Sequence, residues 1–204
     1  TVGNGSASAF AGAGDTYSAT ITPTSDGPVT VDLDAVKVQD AAGNNNSAAT
    51  QFSINYDGTA PTLALSSVSS DPVSGAFTLD MVFSESVTGF AIGDLTVGNG
   101  AASAFAGSGD TYSATITPAA NGAVTVDVAA ASAQDSAGND NTAATQFSIT
   151  NDETAPSVVL SSVSSDPVSG AFTLDVVFSE SVTGFAVGDL TVGNGSASAF
   201  AGSG

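Results

Sequence analysis

The residues best suited to chemistry in this chain are carboxylates. Asp and Glu number 20, against one base, Lys37, and there is no His or Cys. That set rules out Ser/His/Asp and Cys/His nucleophile systems within the chain. It also excludes a zinc site and disfavours copper, both of which draw on imidazole or thiolate. What carboxylates and amides do well together is bind a hard cation. Ca²⁺ takes about 6–8 oxygen ligands from carboxylates, amides and carbonyls. The candidate ligands are Asp57, Glu85, Asp94 and Asp135, with Asn139 as a further oxygen donor. The same roles recur at Asp152, Glu153, Glu180 and Asp189, while Asp40 and Asn44 stand where Asp135 and Asn139 stand.

Those recurrences reflect an internal repeat. The string TVGNG begins at Thr1, Thr96 and Thr191, a period of 95 residues with no insertion or deletion. Residues 1–56 match 96–151 with 16 differences, and 57–109 match 152–204 with 7. Most differences exchange small or polar residues. Expected core positions exchange one aliphatic for another, as in Leu33 for Val128, Met81 for Val176 and Ile92 for Val187. A repeat read at this length suggests a device that spans distance or presents surface.

Composition narrows partners. A formal net charge of −19 argues against nucleic acid and anionic membrane surfaces and favours cations. No apolar run reaches the length of a membrane span. General acid–base work by paired carboxylates needs a cleft that nothing in the sequence suggests. A Lys–Asn crosslink fails because Lys37 becomes Ser132 in the next copy.

The elements that must position the acids are strands. In 57–151, strict alternation points Phe77, Leu79, Met81 and Phe83 one way. Tyr112, Ala114 and Ile116 form a second inward set, and Val124, Val126 and Val128 a third. Phe147 and Ile149 close the unit. Thr62–Val68 reads as the first strand, with shorter strands at 94–97 and 103–105. Turn-forming clusters separate them at 70–75, 98–100, 107–110, 118–122 and 135–139. No segment has helical periodicity. About seven short strands with such turn spacing predict an all-β chain of tandem immunoglobulin-like β-sandwich domains.

The phase follows from the joints, Asn55–Pro61 and Thr150–Pro156. Proline fixes φ and holds the preceding residue extended, so these joints read as stiff. Gly58 opposite Glu153 makes the first joint the looser and less acidic one. The expected domains are 1–56, the C-terminal part of a repeat; 57–151, a complete repeat; and 152–204, the N-terminal part of a third. In a seven-strand sandwich, the loop carrying Glu85, the strand opening at Asp94, and the loops with Asp110 and Asp135 all return to the joint-side pole, where Asp57 lies. Asp71 and Asn99 go to the other pole. Clustered carboxylates repel one another unless a cation intervenes, so a calcium site at each joint is expected. Turn chemistry is the competing use of each Asp and Asn.

Four strings now carry a resemblance: Thr59-Ala60-Pro61, Phe83 through Phe90, Gly93 through Val97, and Asp135 through Asn139. Together they resemble the bacterial Ig-like repeats of giant surface adhesins, including calcium-dependent, type I-secreted ones, along the whole chain. The resemblance implies an extracellular extender array, a stalk or fibre at the bacterial cell surface, often stiffened by calcium at its joints. With the nucleophile systems excluded and no cleft suggested, the chain is not expected to be an enzyme. The alternatives are a polysaccharide-binding module or an accessory domain of an extracellular enzyme. Neighbouring repeats are the expected partners. Because 152–190 and 1–56 together make one unit length, head-to-tail strand complementation between molecules is a further expectation.

Overall fold

The computed structural model describes residues 1–202; Ser203 and Gly204, the close of the 152–204 segment, lie outside the described residues. The chain divides into two compact units, Thr1–Asp152 and Glu153–Gly204.

The first unit opens with β1 (Val2–Gly3), β2 (Gly5–Ala13), β3 (Thr16–Pro23), β4 (Gly27–Val31) and β5 (Phe52–Tyr56). β1, β4 and β5 form one sheet, and β2 and β3 form a hairpin. The complete repeat follows, with β6 (Leu63–Ser66), β7 (Phe77–Val87), β8 (Leu95–Gly98), β9 (Gly100–Pro118), β10 (Gly122–Val128) and β11 (Phe147–Asn151). Two antiparallel sheets result, ordered β6-β7-β9 and β8-β10-β11. β9 doubles back on itself, because Gly100 lies against Thr117 and Pro118 and Gly107 against Thr111 and Tyr112. Counted as two strands, it brings the total to the seven of an immunoglobulin-like sandwich.

The inward sets meet between the sheets. Phe77, Leu79, Met81 and Phe83 from β7, and Tyr112, Ala114 and Ile116 from β9, pack with Val124, Val126 and Val128 of β10 and Ile149 of β11. Each is at most 7% exposed, as period-2 alternation requires of a half-buried strand. An aromatic knot closes the joint-side end of this core. The Phe90 ring meets Phe83 edge-on at 5.1 Å and Tyr112 at 5.2 Å.

Several expectations need correction. β7 continues past Phe83 to Val87, so Glu85 lies in the strand and not in the loop after it. A register shift between Val82 and Val87, with Val87 paired to Gly109, carries the ladder on past a bulge. The strands expected on either side of the 107–110 turn are found as the two arms of the β9 hairpin, and Gly109 turns its tip at φ 71°. The third strand begins at Leu95; Asp94 instead ends a 3-10 turn, Ile92–Asp94. Ile92, expected in the core, is 41% exposed on that turn. Leu33 is exposed although its counterpart Val128 is buried.

The second unit holds β12 (Val158–Ser161) and β13 (Asp175–Phe178), paired antiparallel. Their register, Val158 to Phe178, reproduces Leu63 to Phe83 one period later. Among the described residues, no helix is long and apolar enough to cross a membrane.

Candidate metal centre

Three segments converge at the joint-side end of the complete repeat. The joint itself supplies Asp57. The end of β7 supplies Glu85, which alternation places between buried Phe83 and Val87. The loop between β10 and β11 supplies Asp135.

Backbone bonds fasten the three together. Thr88 and Gln134 exchange amide-to-carbonyl bonds at 2.7 and 3.0 Å, tying the end of β7 to the loop. The Thr142 amide donates to the Pro61 carbonyl at 2.9 Å, tying the loop to the joint. Buried Asn141 shapes the loop from within. Its Oδ1 accepts from the amides of Ser132 and Ala133 at 2.8 and 2.7 Å. Its Nδ2 donates to the carbonyls of Ala129 and Thr142 at 3.1 and 2.8 Å. Asn46 makes the same four contacts in the first segment.

One carboxylate oxygen from each of Asp57, Glu85 and Asp135 lies within 4.8 Å of the others. Oxygens on opposite sides of a single Ca²⁺ are about 5 Å apart at ordinary bond lengths. The group therefore fits inside one coordination sphere. Asp57 and Glu85 are half-buried and Asp135 is buried.

The acids differ in state. Burial raises the Glu85 carboxyl above its ordinary value, and the negative charges of Asp57, Asp135 and Asp26 raise it further. Asp135 is lowered, first by the Asn139 side-chain amide and then by backbone N–H groups of its own loop. Its Oδ1 accepts from the amides of Ala137, Gly138 and Asn139 at 2.8, 2.7 and 2.9 Å. Its Oδ2 accepts from Asn139 Nδ2 at 2.8 Å. The turn thus uses Oδ1 fully and leaves coordinating capacity on Oδ2. The turn at Asp135 and a cation would use different oxygens of one side chain.

The remaining candidates lie elsewhere. Asn139 adjoins the group and bonds two of its members through Nδ2, the Asp135 carboxylate and the Asp57 carbonyl. Asp94 stands outside the group; its Oδ2 accepts from the Ala91 amide at 2.8 Å and closes the 3-10 turn. Asp189 does the same with Ala186 at 2.9 Å. Asp40 holds a turn like that of Asp135, accepting from the Ala42 and Asn44 amides and from Asn44 Nδ2. That bonding lowers its carboxyl, the Asn44 side chain contributing most. Asp152 Oδ1 accepts from Asn121 Nδ2 at 3.3 Å. Within the second unit, Glu153, Glu180 and Asp189 form no comparable group among the described residues. Asp110 sits at the β9 tip, bonded to Thr111 Oγ1 at 3.1 Å. At the opposite pole, Asp71 accepts from the Thr150 amide at 2.9 Å, beside the following joint.

Comparison with known families bears on the whole chain. A family described as "Bacterial Ig-like domain" matches residues 1–56, 57–150 and 152–204. The chain belongs to the bacterial Ig-like domain family. No curated protein matches it. Bacterial Ig-like domains are generally non-catalytic structural modules, commonly extracellular or surface-associated. The tandem matches place neighbouring Ig-like repeats side by side in the chain, as in an array.

Two residues that matter at this end were missed in the sequence. Asn141 had a faint signal: it stays Asn in both copies while the residues on either side change, Asn45 to Asp140 and Ser47 to Thr142. Asp26 had none as a single position, because only the fold shows that its loop meets the joint.

Proposed function

We propose that this array of Ig-like repeats is an extender, a stalk or fibre segment outside a bacterial cell, and that Ca²⁺ at the Asp57 joint stiffens it. The observation that carries the reading is the convergence of Asp57, Glu85 and Asp135 from three separate segments within 4.8 Å. A cation there would bridge the joint, the end of β7 and the β10–β11 loop. Asp57, Glu85 and Asp135 Oδ2 would hold it, and it would neutralise the carboxylate repulsion that adds to burial in raising Glu85. Binding energy would then appear as stability of the repeat next to the joint. The net charge of −19 fits a cation-dependent chain and keeps a long array soluble. The cation's place in the array makes its effect mechanical. Restricted bending would hold an adhesive tip away from the cell.

Carbohydrate binding gains no support from the complete repeat. Its one tyrosine, Tyr112, is buried and donates to the Val87 carbonyl at 3.4 Å.

Thermal melts with Ca²⁺ and with chelator test the cation. A hundredfold excess over Kd should add about 2.7 kcal/mol to the stability of the binding repeat. An unchanged midpoint would sink the calcium reading. Small-angle scattering tests the stalk, since calcium should lengthen and stiffen it.

A further inference from the structure

The loop between β3 and β4, in the first segment, reaches the joint that follows it. Asp26 Oδ1 accepts from the Gly58 amide at 2.7 Å. Asp26 Oδ2 accepts from the Thr59 hydroxyl. These bonds span 32 and 33 residues and belong to two different repeats. They hold the Asp26 carboxyl below the usual range, the Thr59 hydroxyl contributing most and the Gly58 amide next. Residue 58 is fitted to the same arrangement. A Cβ there would lie 2.5 Å from Tyr56 Oη, so a side chain at 58 would displace the ring.

One period later all three positions differ. Asp26 becomes Asn121, Tyr56 becomes Asn151 and Gly58 becomes Glu153, while Gly27, Asp57 and Thr59 recur as Gly122, Asp152 and Thr154. At the first joint the loop residue accepts from Gly58 and Thr59. At the second, Asn121 Nδ2 donates to Asp152 Oδ1 at 3.3 Å. The charge is kept. Asp26 with Asp57 gives two carboxylates at the first joint, and Asp152 with Glu153 gives two at the second. The first joint is therefore not the less acidic of the two once its loop is counted.

We propose that Asp26 is an inter-repeat latch, fixing the first segment to its joint, and that residues 26, 56 and 58 form a matched set exchanged as a whole between joints. The latch is made of protein groups alone and does not depend on the calcium reading. A single change within the set breaks the match; three together preserve it.

The test is NMR on the full chain in chelator, which separates it from the calcium titration. Two readouts serve: hydrogen exchange at the Gly58 amide, and residual dipolar couplings of the first segment and the complete repeat. Asp26→Ala should speed Gly58 exchange roughly threefold to tenfold, the loss of about one hydrogen bond. It should also leave the two repeats with separate alignment tensors. Thr59→Val removes one donor while keeping Asp26, and should loosen the alignment in part. Gly58→Glu alone should separate the tensors, and the triple variant D26N/Y56N/G58E should restore a common one. Shifts of β7 and β10 residues report that the complete repeat remains folded in each case. Unchanged Gly58 exchange in Asp26→Ala would overturn the latch. A common tensor in Gly58→Glu, or separate tensors in the triple variant, would overturn the matched set.

Discussion

Asn139 bonds to the backbone of Asp57 across 82 residues of sequence. Its Nδ2 donates to the Asp57 carbonyl at 3.1 Å while also donating to Asp135 Oδ2 at 2.8 Å. One amide thus sets the distance between the joint and the loop that carries the third acid. Loss of a typical hydrogen bond such as the one to the Asp57 carbonyl costs about 0.5–1.5 kcal/mol. Asn139→Ala should therefore lower the midpoint in chelator by a few degrees and shrink the calcium-induced rise. Asn44→Ala, in the first segment, removes the same turn contact but touches no such joint, and should leave the calcium response intact. Paired melts of the two variants check this.

Glu85→Gln separates charge from shape. Glu85 is raised by burial and by three neighbouring carboxylates, so its ionised form is disfavoured in the fold. A neutral amide of the same size removes that repulsion. At neutral pH in chelator the variant should melt higher than the parent. With calcium the order should reverse, since the variant lacks a charged ligand. Melts of both proteins in both buffers give four numbers, and a parent that is the more stable in chelator would contradict the assignment of Glu85 as a repelled carboxylate.

Acidification should act in two opposing ways. Asp26, Asp40 and Asp135 are lowered by hydrogen bonds, so each contributes stability above its unfolded pKa that is lost as pH falls through its folded one. Glu85 is raised, so its contribution is fully present below its unfolded pKa and is lost as pH rises through its folded one. From neutrality downward, the chelated protein should first gain from protonation of Glu85. It should then lose stability below the ordinary carboxylate range as the three aspartates protonate. Glu85→Gln should abolish the first phase and keep the second. Urea midpoints taken across the acid range would show it.

The core was legible because alternation is a local signal. Leu79, Ile116 and Val126 each sit at an inward position of a period-2 run, and all three are fully buried. The joint-side acids were legible in part, because strand counting places loop ends at a pole. What it could not place was side-chain direction at those ends. Glu85 lies within β7 because a bulge and the Val87–Gly109 pairing extend the strand, a tertiary event invisible to local pattern. Asp94 reads as a ligand by type, yet a reciprocal cap with Ala91 takes its Oδ2. The β9 hairpin was legible as two arms about a turn, because Gly107 and Gly109 mark the turn. They are the residues that allow the two arms to approach and turn.

The loop network around Asn141 gives the last prediction. Asn141 is 1% exposed and meets two amides and two carbonyls. Asn141→Ala would leave the Ser132 and Ala133 amides without their acceptor. A buried donor so orphaned costs about 1–3 kcal/mol, and the Ala133 amide is the deeper of the two. Asn141→Asp keeps the acceptor but turns two donated bonds into contacts between a carboxylate and carbonyl oxygens. It also adds a buried charge to a loop that already holds Asp135. The aspartate should therefore be at least as destabilising as the alanine, although it is closer in shape. Urea denaturation of the full chain would rank them, with the midpoint falling and the slope for the complete repeat unchanged. If Asn141→Asp matched the parent, the amide would not be acting as a donor, and the loop would owe its shape to the turn at Asp135 alone.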